Sequence, residues 1–336
     1  MIKEAIQQLI DRKDLSREAA RQVMDQIMSG QTTDAQIAGF LVALRCKGET
    51  AEEIAGCAEA MRQKATPIHT RRQPLIDTCG TGGDGSGTFN ISTTVALVAA
   101  GAGLCVAKHG NRAMSSQCGS ADVLQALGVN VEISPEQVGA CLDEAGIGFL
   151  FAPKLHGAMK HAIGPRRELG TRTVFNALGP LTNPAGARRQ LIGVYSGSLT
   201  QKLAQVLKTL GSERALVVHG SDGLDELTLT GPSQVAELKE GQVSTYEVRP
   251  EQFGLKTAPA AALKGGDAQH NAQILSAVLK GEEGPRCDIV LLNAGAAILA
   301  GGLAADLGEG MAKARESIAS GKALQALEAL RQVSNR

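Results

Sequence analysis

The chain has 336 residues, enough for about two domains, and 43 % of them are apolar, so it can bury a proper core. Lysine plus arginine and aspartate plus glutamate balance at 34 each, which excludes a bulk electrostatic drive toward nucleic acid or a lipid surface; any anion site must be built locally. No Trp and two Tyr argue against aromatic platforms for single-stranded nucleic acid.

Residues 1 to about 65 carry only helical patterns. Thr33 to Gln36 and Thr50 to Glu53 both fit a capping box, and Ile37, Phe40, Leu41 and Leu44 make an apolar stripe at helical spacing closed by Gly48. These apolar faces exceed what three or four short helices can hide. Part of the surface is expected to pack on the rest of the chain or on a second copy, which makes residues 1–70 a helical dimerisation domain and the protein a homodimer. The amino terminus carries acidic residues where a signal peptide would be purely apolar. The longest apolar stretches, such as Thr93–Val106, are broken by glycine or too short for a bilayer, so no membrane partner and a cytoplasmic location are expected. Seven widely spaced cysteines with no C-x-x-C pair read as reduced thiols.

From Pro74 onward β-like runs alternate with helices. Strands are expected at Leu75–Asp77, Leu104–Ala107, Val129–Ile133, Gly148–Phe151, Ile192–Tyr195, Ala215–His219 and Ile289–Asn293. Helices are expected at Ser92–Gly101, Ala121–Leu127, Pro135–Ala145, Leu199–Leu210 and Asn271–Leu279. The alternation predicts an α/β domain over 71–336, a mostly parallel sheet with helices on both faces, whose ligands gather in loops after strand carboxyl ends. A segment at 155–187, rich in His, Lys, Arg and Pro, interrupts the pattern. It is expected to return to the helical domain and to form one wall of an interdomain cleft.

The most informative stretch is Asp77-Thr78-Cys79-Gly80-Thr81-Gly82-Gly83-Asp84-Gly85-Ser86-Gly87-Thr88-Phe89-Asn90-Ile91-Ser92-Thr93, where five glycines fall within eight residues between an apolar strand and an apolar helix. Side-chain-free residues let backbone N–H groups converge on an anion, and the following helix points its positive end there. Lys-Ser/Thr does not close the loop as in a P-loop. The dinucleotide spacing fitted by Gly80, Gly82 and Gly85 lacks an acidic residue at the end of the next strand, where Lys108 stands. The plain alternative is a flexible turn. Asp77 and Asp84 indicate that the anion comes with a metal.

Three further clusters accompany it. Lys108-His109-Gly110-Asn111-Arg112 leads into a second glycine and hydroxyl turn at 113–120 and suits a second anionic group, although alone it also reads as a solvated basic turn. His219-Gly220-Ser221-Asp222-Gly223-Leu224-Asp225-Glu226 puts adjacent carboxylates directly after a strand. Beside phosphate loops these suit Mg²⁺ held partly through substrate phosphates. Arg166 and Arg167 offer a guanidinium for a carboxylate, against a surface-charge alternative.

With these residues in view, D-T-x-G-T-G-G-D-x-x-x-T-F-N-I-S-T at 77–93, K-H-G-N-R-A-x-S-S at 108–116, G-S-A-D-V-L at 119–124, F-N-x-L-G-P-L-T-N-P at 175–184 and H-G-x-D-G-L-D-E at 219–226 resemble the anthranilate phosphoribosyltransferases of tryptophan biosynthesis. The resemblance implies a helical domain joined to an α/β domain, a fold shared with nucleoside phosphorylases, and a homodimer. It also implies Mg²⁺-dependent transfer of phosphoribose from phosphoribosyl pyrophosphate (PRPP) to the anthranilate amine, releasing pyrophosphate. By matching motif, Gly80, Gly83, Asp84, Thr88, Asn90, Ile91, Ser92, Thr93, Lys108, Asn111, Ser116 and Ser120 would bind PRPP. Gly80, Asn111 and Arg166 would meet anthranilate, Ser92, Asp225 and Glu226 would hold Mg²⁺, and Lys108, His109 and Asp84 form the catalytic set. Departures are Gln117-Cys118, where relatives commonly have Lys-Ser, and His270, where many carry Glu. Two alternatives remain at this point: a pyrimidine nucleoside phosphorylase, and a non-catalytic nucleic-acid-binding relative of the same fold.

Overall fold

The computed structural model of the protein describes residues 1–113 and 117–336. The chain opens with α1 (Ile2–Ile10), α2 (Arg17–Met28), α3 (Asp34–Lys47) and α4 (Ala51–Lys64). Both expected capping boxes form. Thr33 and Thr50 accept from the main chain of Gln36 and Glu53, whose side chains return the bond, each box contributing about 1 kcal/mol. Ile37, Phe40, Leu41 and Leu44 are all buried.

The alternating part begins with β1 (Leu75–Gly80), α5 (Ile91–Gly101), β2 (Cys105–Gly110), α6 (Ser120–Ala126), α7 (Pro135–Ala145) and β3 (Ile147–Phe151). The interrupting segment then folds as α8 (Ala152–Leu155), α9 (Lys160–Leu169) and α10 (Val174–Leu178). Helix α9 packs on α2 and α3, and α10 packs on α3 and α4. Thereafter come β4 (Arg189–Gly193), α11 (Ser198–Thr209), β5 (Arg214–Gly220), β6 (Ser233–Lys239) and β7 (Gln242–Val248), followed by α12 (Ala268–Leu279), α13 (Pro285–Ala300), α14 (Leu307–Ala319) and α15 (Lys322–Ser334).

Among the described residues the strands make a seven-stranded sheet in the order β3-β2-β1-β4-β5-β6-β7. Neighbours from β3 through β5 are parallel, and β6 and β7 add an antiparallel hairpin at one edge. Alternate residues of each strand feed two cores. Leu191, Leu216 and Val218 face the layer that holds α5 and α13, whereas Ile192, Ala215 and Val217 face α11 in a core continuous with the helical domain.

Two expected strands are not strands. Ile289–Asn293 lies inside α13, which is buried nearly all round, so its apolar run has no helical periodicity to reveal it. Val129–Ile133 is an irregular connection in which Asn130 accepts from the Glu132 N–H and donates its own N–H to Ser334 Oγ. The β6–β7 hairpin was not expected from sequence.

Candidate active site

Strand order reverses between β1 and β4, and their last residues, Gly80 and Gly193, are register partners. Open α/β sheets bind ligands at such a switch point. The glycine loop leaves β1 here. Its start is pinned to β4 by a bond from the Thr81 N–H to the Gly193 carbonyl (2.9 Å) and one from the Tyr195 N–H to Thr81 Oγ1 (3.1 Å). Gly82, Gly83, Gly85 and Gly87 all have positive φ, which side-chain-bearing residues rarely adopt.

The Asp225-Glu226 turn after β5 folds over the same place. Asp225 Oδ2 accepts from the Gly82 N–H (2.9 Å), and Glu226 bonds to the Ser92 main chain at the start of α5. Both carboxylates are half-buried. Burial, then the charge of Asp84 within hydrogen-bond reach, pushes Asp225 up to about 7. Burial and the neighbouring Asp225 raise Glu226 well above the usual carboxylate range. Hard oxygen donors whose ionisation is resisted by burial and mutual repulsion suit a divalent cation such as Mg²⁺, which would stabilise the ionised forms. Among the described residues no group of three His, Cys, Asp or Glu side chains is ready to hold a metal ion, so the remaining ligands would be substrate oxygens and water.

Lys108, only 2 % exposed, reaches back from β2 and donates to the Thr78 carbonyl (2.5 Å) and Ser92 Oγ (3.3 Å). Burial lowers its pKa while the charges of Asp77, Glu226 and Asp225 oppose that shift. Asp77 is fully buried below it and accepts from the His109 N–H (3.0 Å) and Asn183 Nδ2 (2.8 Å). Burial likewise raises the Cys79 thiol, which argues against a nucleophile there.

His109 points elsewhere, as strand alternation from Lys108 requires. Its Nδ1 lies 3.2 Å from the Gly179 carbonyl and must carry the proton, so Nε2 accepts from His156 Nε2–H, also at 3.2 Å. Burial holds His109 at about 3 and His156 at about 4. This geometry weighs against the expectation that His109 acts in catalysis, because its lone pair is occupied and its cation disfavoured. Ile91 and Thr93 stand in the first turn of α5 with their side chains buried. Ile91 has a core side chain and its N–H is accepted by Phe89, while the Thr93 hydroxyl is buried without a hydrogen-bond partner. Arg112 is spent on Asp122, Gln125 and Glu132.

The other expected residues sit around the cleft. Thr88 and Asn90 end the glycine loop, Asn111 is exposed after β2, and Ser120 begins α6. Ser116 lies outside the described residues. On α9, Arg166 is half-buried with its guanidinium 4.9 Å from the centroid of Phe175, whereas Arg167 is exposed.

Residues 72–324 match the glycosyl transferase family, a/b domain, and residues 3–65 match its helical bundle domain. The chain is 56 % identical to an anthranilate phosphoribosyltransferase of Geobacter sp. (strain M21), over 100 % of this chain and 99 % of that one. The chain belongs to the anthranilate phosphoribosyltransferase family. Its fold matches the crystal structure of the family member from Thermus thermophilus with a TM-score of 0.94 at 49 % identity, covering 99 % of both chains. The Saccharomyces cerevisiae anthranilate phosphoribosyltransferase, in complex with PRPP and Mg, matches with a TM-score of 0.90 at 30 % identity over 99 % of this chain and 98 % of that one.

For a member of this family, several supporting residues escaped sequence reasoning. Asn183 ties Asp77 to the Ala107 carbonyl through one amide nitrogen. Asn271 donates to Asn90 Oδ1 (2.9 Å) and accepts from the Gly266 N–H (2.8 Å), while Lys264 Nζ donates to the Ser86 carbonyl (2.7 Å), so the segment before α12 straps the glycine loop. Asn293 of α13 clamps both main-chain groups of Leu227, next to Glu226. Asn183 falls in a stretch already marked by motif, and Asn271 opens an expected helix next to His270. Asn293 carried no signal beyond an amide in an apolar run.

Proposed function

We propose that this cleft transfers 5-phosphoribose from PRPP to the anthranilate amine, giving N-(5-phosphoribosyl)anthranilate and pyrophosphate. The observation that carries the reading is Asp225 folded onto the glycine loop beside Asp84 and Glu226. A phosphorylase binding free phosphate would gain only repulsion from such a cluster, whereas a metal-bound pyrophosphate is complementary to it. The nucleic-acid-binding alternative finds no support in the balanced charge.

Asp225 and Glu226 would hold Mg²⁺. Ser92 can join them if Lys108 swings from its hydroxyl toward the phosphates. Bound there, Mg²⁺ supplies positive charge to the leaving pyrophosphate. The backbone of Gly80, Gly83 and Asp84, with Thr88, Asn90, Ser116 and Ser120, cradles PRPP; Arg166 takes the anthranilate carboxylate between the helical wall and Asn111. Breaking of the C1–oxygen bond leads, and Lys108 with the loop N–H groups stabilises the departing charge. The aryl amine is unprotonated near neutrality, so positioning over C1 replaces a general base.

Residues 1–70 with part of 155–187 form the domain that closes the cleft and pairs two copies, and residues 71–336 bind PRPP. Exposed Ile10, Val42 and Ile163, on helices α1, α3 and α9, support a homodimer face. Val42→Asp with Ile163→Asp should yield a monomer by sedimentation; an unchanged mass would move the interface elsewhere. Among the described residues no helix is long and apolar enough to cross a membrane. A cytoplasmic location fits the buried thiols of Cys57, Cys105 and Cys141.

Purified protein with anthranilate, PRPP and Mg²⁺ should lose anthranilate fluorescence and form a product of the expected mass, with all three required and Asp225→Ala inactive. Phosphorolysis of a pyrimidine nucleoside instead would favour the second enzyme reading. A His109→Ala variant as dead as Asp225→Ala, with both folded, would restore a role for that ring.

A further inference from the structure

Beyond the residues expected to touch substrate, the glycine loop has one contact with the acceptor side of the cleft that neither the motifs nor the proposed mechanism uses. Two residues after Gly170, which ends α9 with φ +57, Arg172 turns back across the cleft mouth. Its guanidinium stacks over the Tyr195 ring at 4.1 Å from the centroid, and its Nη2 donates to the Gly83 carbonyl. Its own carbonyl accepts from Arg45 Nη1 at the end of α3. Tyr195, the platform for this cation, is also the residue whose N–H holds Thr81.

We infer that Arg172 is a positioning residue: a latch that fixes the middle of the glycine loop relative to α9, and so sets the donor phosphates in register with Arg166. This rests on the reading of the loop as the PRPP cradle. Three features carry it. The contact joins the centre of the loop to the helical wall, whereas the bonds at Thr81, Gly82 and Ser86 tie it to β4, to the Asp225 turn and to the segment before α12. A planar cation stacked on a ring at this distance has both its position and its fork direction fixed, which an ammonium on a flexible stem would not. Finally, the Gly83 carbonyl accepts from the guanidinium, which fixes the orientation of the Gly83 peptide within the loop.

The latch makes Arg172 and Tyr195 one unit, and a double-mutant cycle reads that directly. Hydrogen exchange of residues 80–90 in the ligand-free protein should be faster in Arg172→Gln and in Tyr195→Leu, while Tyr195→Phe, which keeps the ring, should match the unaltered protein. Mg²⁺–PRPP affinity by calorimetry should fall roughly tenfold in each of the first two, and no further in the double variant. Losses that multiply in the double variant, or a loss in Arg172→Gln that Tyr195→Leu does not share, would overturn the latch and make Arg172 a direct phosphate contact. Unchanged loop exchange in both single variants would also overturn it. Failure of the unaltered protein to bind PRPP would instead fall on the cradle reading, because the exchange arm needs no ligand.

Discussion

Asp225 Oδ2 lies 2.5 Å from where a Cβ on Gly80 would stand, and the Asp225 carbonyl lies 1.5 Å from the corresponding position on Gly193. The carboxylate turn thus rests on two bare backbones at the ends of neighbouring strands. Real Cβ contacts do not come this close, so a methyl group must displace the turn. Gly193→Ala, which collides with main chain, should unfold the domain or cost several kcal/mol, roughly the upper range for overpacking. Gly80→Ala collides with a side chain. Its urea midpoint should stay near that of the unaltered protein while the Mg²⁺ response of activity is lost, and a normal Mg²⁺ titration would contradict this.

Asn293 is fully buried and spends its amide on Leu227 N–H, Leu227 C=O and Ile289 C=O. Asn293→Leu keeps the branched shape but orphans the Leu227 groups, a cost of about 2–3 kcal/mol. Because Leu227 follows Glu226, the same variant should need more Mg²⁺ for half-maximal rate. A stability loss with an unchanged Mg²⁺ requirement would show that the turn holds its place without the clamp.

Sequence reasoning located this site because its chemistry sits in loops. Glycines, acids and hydroxyls between apolar runs mark strand ends however the strands are paired, and so Asp84, Lys108, Asp225 and Glu226 could be found. What supports them was less legible. The β6–β7 hairpin turns through Glu240 and Gly241 at φ 50 and 72, and a glutamate in the left-handed region gives none of the Asn-Gly signal that announces such turns. Asn293 hides in a helix buried on all sides. Lys108 and His109 are adjacent in sequence yet face opposite ways, and without the sheet there was no telling which one met the loop.

The proton on Asp225 predicts a pH dependence. Its pKa in the fold is about 7 against an ordinary 3.8, so the fold holds the proton where the unfolded chain has lost it, and this group's contribution to stability falls as pH rises from about 4 to 7. On the proposed reading, Mg²⁺–PRPP binds the ionised form. Binding near neutrality should therefore release protons, seen as a buffer-dependent heat in calorimetry, and weaken by up to about tenfold per pH unit below 7. Asp225→Asn should release none at this site.

The His109–His156 pair works in the opposite direction. With folded pKa values of about 3 and about 4 against an ordinary 6.5, the rings take up protons on unfolding between about pH 6.5 and pH 4, so the fold loses stability as pH falls through that window. Each ring can cost up to about 1.4 kcal/mol per pH unit. Between about pH 7.5 and pH 5, urea midpoints of His156→Gln should fall less than those of the unaltered protein. Equal falls would mean that these rings are not the acid-labile element.

The Gly82 N–H and Asp225, which meet in the site, stand 143 positions apart in the chain, and the Asn293 clamp lies 66 positions beyond the residue it holds. On the ribosome the phosphate loop is therefore finished long before the carboxylates that complete it, and the carboxylates emerge before the helix that secures them. Stabilisation by a bound cosubstrate at this cleft therefore needs the complete carboxylate turn, and its Asn293 clamp is among the later parts of the chain to be made.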